Sequence, residues 1–319
     1  MATFAYHASH EQFSPSDLLA YVKLAERAGF DGCHASDHFH PWSERQGQSG
    51  YVFSWLGAAM EATRFPFSVI TAPGQRYHPA IVAQALGTLL QMYPGRLAVS
   101  LGSGEALNER ITGDEWPEKT VRNRRLRECA AIIDRLLAGE EVTHSGLVKV
   151  HRARLYTRPQ TRPPLMCAAL STETAFWAGS WAEGLLTTYQ PDGKLDEIIR
   201  AFRAGGGKDK PVHVKLTLSY ARDEQFAKSE AHHQWRFDCI EKARLADLDS
   251  VAAFDRASQD ISLEKVLASI PVSQSTDTFV DLIKKIADTG ADHIVLHNVA
   301  RNQPEFIFDF GAEVLPKLR

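Results

Sequence analysis

The chain has 319 residues, an apolar fraction of 44% and a formal charge of −3. That length suits one large α/β barrel or two ordinary domains, and the near-neutral charge gives no ground for nucleic acid or an anionic membrane as partner. Four dispersed cysteines form no C-x-x-C pair, no apolar run is long enough to span a bilayer, and no leader-like N-terminus is present, so a cytoplasmic protein acting on a small molecule is expected.

In chain order, residues 3–9 read as a first strand. Ser14 then stands as a helix cap, Pro15 suits the first turn and Asp17 faces the positive end of the helix dipole. Leu18, Val22 and Ala25 repeat near helical spacing until Gly29 stops the helix. Further strands are expected at 31–36, 66–71, 96–101, 165–170, 184–188, 212–220 and 293–297. Helical periods lie between them, at 81–92, 124–137, 172–182, 195–203 and 279–289. Three helix-to-strand joints (ERAGFDG, GSWAEGL, ADTGADH) each bring a small residue just ahead of an acidic one. Eight such units of about 40 residues predict a single (β/α)8 TIM barrel over residues 1–319. A hairpin is expected within 142–156 around Ser145-Gly146, and 39–54 and 241–275 are excursions longer than ordinary loops.

Polar residues just past the strand ends of such a barrel share one mouth. The stretch CHASDHFHPW, residues 33–42, gathers three histidines there. One reading is a zinc hydrolase using the His38-x-His40 pair, but the strand tips near 170 and 188 offer no histidine or acid to complete a ligand set. The other is proton and hydride transfer beside an organic cofactor, with His38 as base, Glu105 as the opposing carboxyl and Trp42 as an aromatic wall. Ser171 and Thr172 at a helix start suit an anion such as a phosphate, although the same residues also read as a plain helix cap. Gly102-Ser103-Gly104-Glu105 lacks the third glycine of a nucleotide fingerprint and reads as a tight strand exit.

Together, Ser36-Asp37-His38-Phe39-His40-Pro41-Trp42, Ser68-Val69-Ile70-Thr71, Arg76-Tyr77-His78-Pro79-Ala80 and Gly102-Ser103-Gly104-Glu105-Ala106-Leu107-Asn108-Glu109 resemble the luciferase-like flavin and deazaflavin oxidoreductases. The likeness is greatest to the branch holding the deazaflavin-dependent glucose-6-phosphate dehydrogenases. The resemblance implies that His38 takes the substrate's proton, Glu105 exchanges a proton at the cofactor ring and Trp42 walls the substrate pocket. It implies that Asp37, Thr71, Ser103, Gly104 and Asn108 line the cofactor, and that Ser68–Val69 is a non-proline cis bond bulging against the ring, a geometry that costs about 3 kcal/mol. It also implies a homodimer.

Two departures bear on cofactor and substrate. Where those dehydrogenases carry a glycine pair at the fifth strand exit, this chain has Leu170-Ser171, which with Thr172 suits a terminal phosphate and so predicts FMN, with the deazaflavin coenzyme F420 as the alternative. An FMN enzyme admits monooxygenase chemistry and, with it, a flavin reductase or other electron donor as partner. Thr188 matches a polar residue of the sugar-phosphate site, but the lysine expected to follow falls at Pro191 and the expected arginine at Ser269. Lys194 is left as partial compensation. A flavin-binding protein without catalysis is a further reading, against which the matched His38, Glu105 and Trp42 stand.

Overall fold

Short β-branched and apolar runs alternate with amphipathic helices, and the strands pair in register to close a barrel. The computed structural model describes residues 2–319, apart from the side chains of Lys242 and Ala243. Strands β1 (Thr3–Ala8), β2 (Gly32–Ser36), β3 (Phe67–Thr71) and β4 (Leu97–Leu101) are followed by the hairpin β5 (Val142–Ser145) and β6 (Lys149–Ala153). Next come β7 (Leu165–Ala168), β8 (Leu185–Thr188), β9 (Val212–Tyr220), the two-residue β10 (Val272–Ser273) and β11 (His293–Asn298). Parallel pairing runs β1-β2-β3-β4-β7-β8-β9-β11 and returns to β1, so eight strands form a closed (β/α)8 barrel, with β10 added along the end of β9.

The helices are α1 (Pro15–Ala28), α2 (Val52–Ala62), α3 (Pro79–Met92), α4 (Ala106–Glu109), α5 (Lys119–Leu137), α6 (Thr172–Gly179) and α7 (Lys194–Phe202). They continue with α8 (Glu224–Trp235), α9 (Lys242–Leu245), α10 (Val251–Ser258), α11 (Leu263–Ser269), α12 (Thr276–Asp288), α13 (Gln303–Asp309) and α14 (Leu315–Leu318). Helix α1 begins and ends as its sequence predicts. The Ser14 side chain accepts from the Asp17 N–H at 3.2 Å, and Gly29 closes the helix at φ 90°, a conformation that favours glycine.

The acidic residues at the three similar joints share one task. Asp31, Glu183 and Asp292 each accept an N–H from the first or second residue of a neighbouring strand, from Phe4 at 2.8 Å, Leu165 at 2.9 Å and Val212 at 2.8 Å. Such an N–H has no ladder partner at the barrel bottom, and a carboxylate supplies one. On the upper side a second, smaller core unites Leu107, Trp235, Phe237, Phe254, Val266 and Val299, so the long excursion after α8 folds down onto the mouth. Among the described residues no helix is long and apolar enough to cross a membrane.

Strand alternation separates two environments. Phe4, Tyr6 and Ala8 of β1 meet the surrounding helices, while His7 points inward. Inside, His7 lies 5.5 Å from His34 and 4.1 Å from His297 between ring centroids. The His34 Nδ1 is 2.7 Å from the Ser68 hydroxyl. Burial, aided by their mutual repulsion and by Lys215, holds the imidazoles of His7, His34 and His297 well below the ordinary histidine pKa.

This packing corrects the expectation for Ser68 and Val69. No cis peptide bond occurs among the described residues. Ser68 pairs in register with His34 and Ala98, its hydroxyl engages the histidine layer, and the Val69 side chain is in the outer core. Neither side chain reaches the mouth.

Candidate active site

The mouth is assembled from the tips of β1, β2, β4, β8 and β9. After β1 the chain turns through Ser9-His10-Glu11-Gln12, with the N–H groups of Gln12 and Phe13 donating to the Ser9 carbonyl. This turn buries Glu11, 2% exposed, and the Ser9 hydroxyl donates to its Oε2 at 2.9 Å. The other oxygen, Oε1, pairs with His38 Nδ1. Glu11 is absent from the expectations above because the strand-tip reading began at β2. The tip of β1 was equally legible and carries an acid three residues past the strand.

With Nδ1–H directed to Glu11, the other ring nitrogen of His38 is left for a substrate hydroxyl. Burial alone lowers the His38 pKa, but the Glu11 carboxylate more than offsets it and Glu105 adds to the rise, so the net direction is up. Burial acts to raise Glu11, yet the adjacent His38 holds it far below the usual carboxylate range. Glu105, half-buried at the N-terminus of α4, is pushed upward by burial against the pull of His38 and Lys215. Two carboxyl groups flank one imidazole, one held ionised and one biased toward its protonated form, the division of roles that acid–base chemistry needs.

Trp42 lies edge-on to His38 at 5.0 Å and stacks on Phe237 at 5.2 Å with 11° between planes, with Phe254 packed against its side. It stands beside His38, and its support comes from the excursion after α8. The loop bearing it is fastened there: Asp255 accepts from the Ser43 hydroxyl at 2.6 Å and pairs with Arg45 at 2.9 Å. From below, the Asn108 side-chain oxygen accepts the N–H groups of Phe39 and His40 at 2.8 and 3.0 Å.

Several expected cofactor residues turn out to hold the site together. Asp37 is buried, and its carboxylate accepts from the Thr71 hydroxyl at 2.8 Å, Arg76 at 3.2 Å and Tyr77 at 3.3 Å. Asp37 and Thr71 therefore satisfy each other and position Arg76, whose backbone N–H also donates to Glu109 at 2.9 Å. Gly104 adopts φ 79°, and a Cβ there would meet the Glu109 side chain at 2.7 Å, so close packing by itself accounts for glycine. Ser171 caps α6: its hydroxyl accepts from the Thr174 N–H at 3.3 Å and donates to the Thr174 hydroxyl at 3.1 Å. Leu170 is 58% exposed and Thr172 is exposed. Of the two hydroxyls on which the FMN expectation stood, that of Ser171 is thus engaged within its own helix.

Ser103 is half-buried at the β4 exit and Thr188 half-buried at the β8 tip. Lys194 is exposed at the start of α7, a few residues past the β8 tip, and pairs with Asp192. His40 turns to the Leu107 carbonyl at 2.9 Å, away from His38. Among the described residues no group of three or more histidine, cysteine or acidic side chains has a metal-binding arrangement.

Residues 1–293 match the family described as luciferase-like monooxygenase. The F420-dependent glucose-6-phosphate dehydrogenase of Microbacterium testaceum is 35% identical, with 99% of this chain and 97% of that protein covered. The corresponding protein of Beutenbergia cavernae is 34% identical, with 100% and 98% covered. Among solved structures, an F420-dependent secondary alcohol dehydrogenase in complex with an F420-acetone adduct superposes with a TM-score of 0.92 at 30% identity, covering 100% of this chain and 99% of that one. The chain therefore belongs to the luciferase-like family, and it is an oxidoreductase.

Proposed function

We propose that this chain is a deazaflavin-dependent dehydrogenase that oxidises a hydroxyl-bearing small molecule. The observation that carries the reading is the buried Glu11–His38 pair facing Glu105 across the mouth. His38 accepts the hydroxyl proton at the nitrogen not bound to Glu11, and the Glu11 carboxylate steadies the imidazolium as it forms, as a buried acid does for a catalytic histidine elsewhere. Trp42 and Phe237 exclude water from the reacting carbon. Glu105, biased toward protonation, holds the proton exchanged at the cofactor. The coenzyme, when bound, supplies the hydride acceptor.

The residues suit such a cofactor on one side of the mouth. Asn108 is buried beside Glu105, and its side-chain amide acts on that carboxyl against the rise of its pKa. Ser103, Gly104 and the α6 start at Leu170, Ser171 and Thr172 border the same side, following the tips of β4 and β7. FMN, expected from Leu170-Ser171, loses its footing because Ser171 is engaged as a cap and the full-length relatives named above are F420-dependent. With Pro191 and Ser269 where a sugar-phosphate site needs cations, and the Ser269 hydroxyl donating to the Lys265 carbonyl, a secondary alcohol is favoured over a sugar phosphate. The test is to mix the purified protein with F420 and a panel of secondary alcohols, following loss of the coenzyme's fluorescence. Bleaching with F420 is expected. Turnover with FMN and none with F420 reverses the reading.

A further inference from the structure

Lys215 lies midway along β9, where Val214, Leu216 and Leu218 enter the outer core, so His213, Lys215 and Thr217 face the barrel interior. It makes no hydrogen bond or ion pair with any described residue. The residue is half-buried, and its charge acts on His7, His34 and His297 in the interior layer and on Glu11 and Glu105 of the mouth. Register sets it beside Thr188 of β8, and partners across a parallel ladder share a face. The Thr188 hydroxyl likewise takes no partner among the described residues. Nearby charges are already matched: Glu11 with His38, and Asp37 and Glu109 with Arg76. Glu105 is biased toward its neutral form, and Asp238 acts on Lys215 through its charge and forms no ion pair with it. An inward-facing, half-buried cation that no carboxylate among the described residues pairs is placed to attract an anion entering the mouth.

We propose that Lys215, with Thr188 beside it, anchors an anionic group of the substrate, a carboxylate borne next to the carbon that His38 serves. The substrate class is then a small hydroxy acid, or its oxo acid in the reverse direction, instead of a neutral alcohol. This rests on the dehydrogenase reading of the same mouth. It also accounts for the missing outer cations: Pro191 and Ser269 leave a remote phosphate without partners, whereas Lys215 lies within the mouth.

The experiment is calorimetric titration of the protein with pyruvate and with acetone, and with longer members of both series. The wild type is expected to bind the oxo acids at least about tenfold more tightly than the matching ketones. Lys215→Met should erase that gap and leave ketone binding unchanged, while Lys215→Arg keeps most of it. Circular dichroism should show Lys215→Met folded, so that any loss of the gap is not a loss of structure. Equal binding of both series by the wild type, or equal weakening of both by Lys215→Met, overturns the inference. A parallel fluorescence titration with F420 separates the two readings. Loss of coenzyme binding with the gap intact sinks only the cofactor, and binding without the gap sinks only the anion anchor.

Discussion

At the residue scale the reading turns on one imidazole and the acid behind it. His38→Ala removes the group that takes the proton, so kcat should fall by about two to four orders of magnitude, while a fluorescence titration shows F420 bound as before. Glu11 is a positioning residue, and its signature is a shifted pH profile. As a base His38 must be neutral, and Glu11 raises its pKa, so the oxidation rate should climb with pH through a midpoint above the ordinary histidine value near 6.5. Glu11→Gln removes the carboxylate that holds the proton on His38, and the limb should move to lower pH as kcat falls. A lower kcat with an unmoved limb assigns Glu11 to folding alone. On the alkaline side Glu105 must keep a proton, and Lys215 lowers its pKa. Lys215→Met should therefore push that limb upward.

Between elements, the β2 loop that carries His38 and Trp42 is only as ordered as its fastening to α8 and α10. Asp255 alone accepts the Ser43 hydroxyl at 2.6 Å and the Glu44 N–H at 3.1 Å, and pairs with Arg45. Asp255→Ala should raise KM and speed hydrogen exchange over residues 39–51, with exchange in the barrel strands unchanged. Uniform protection in that loop counts against this anchoring. The pattern of what was legible follows the same division. Every barrel strand and the hairpin were readable because period-two alternation and Gly or Pro breaks are local signals, and the acid at each bottom joint marked a strand start before its N–H partner was known. That His38, Glu105 and Trp42 follow strand ends was readable too, because the strands themselves were. The Glu11–His38 pair, the Asp37–Arg76–Glu109 network and the Phe237 support of Trp42 were not, since each joins residues whose proximity exists only after the barrel closes. Lys215 did leave a trace: a lysine on the inward face of VHVKLTLSY, where a barrel interior ordinarily packs apolar side chains.

For the whole molecule, the interior itself sets a limit on acid stability. His7, His10, His34 and His297 are each at most 2% exposed, and burial lowers all four pKa values, that of His10 to about 4. A histidine whose folded pKa lies below its unfolded value takes up a proton on unfolding, so its contribution is complete above about pH 6.5 and declines as pH falls. Glu105 and Glu109 act in the opposite sense, because their raised values let the folded state hold protons that the unfolded chain releases above about pH 4.5. His38 adds little below its unfolded value, where both states are protonated. His213 and His293 are pushed down as well, to about 3 and about 4, so the lowered histidines outnumber the two carboxyls and unfolding takes up several protons between about pH 6.5 and 5, each worth about 1.4 kcal/mol per pH unit. That is a large share of a typical domain's stability of about 5–15 kcal/mol. The melting temperature should accordingly drop steeply from pH 7 to pH 5, and His34→Asn should flatten the slope by close to one proton even if it lowers stability at pH 7. A melting temperature constant across that range would mean that the interior histidines are already charged in the folded protein, and that the neutral layer beneath the catalytic mouth does not exist.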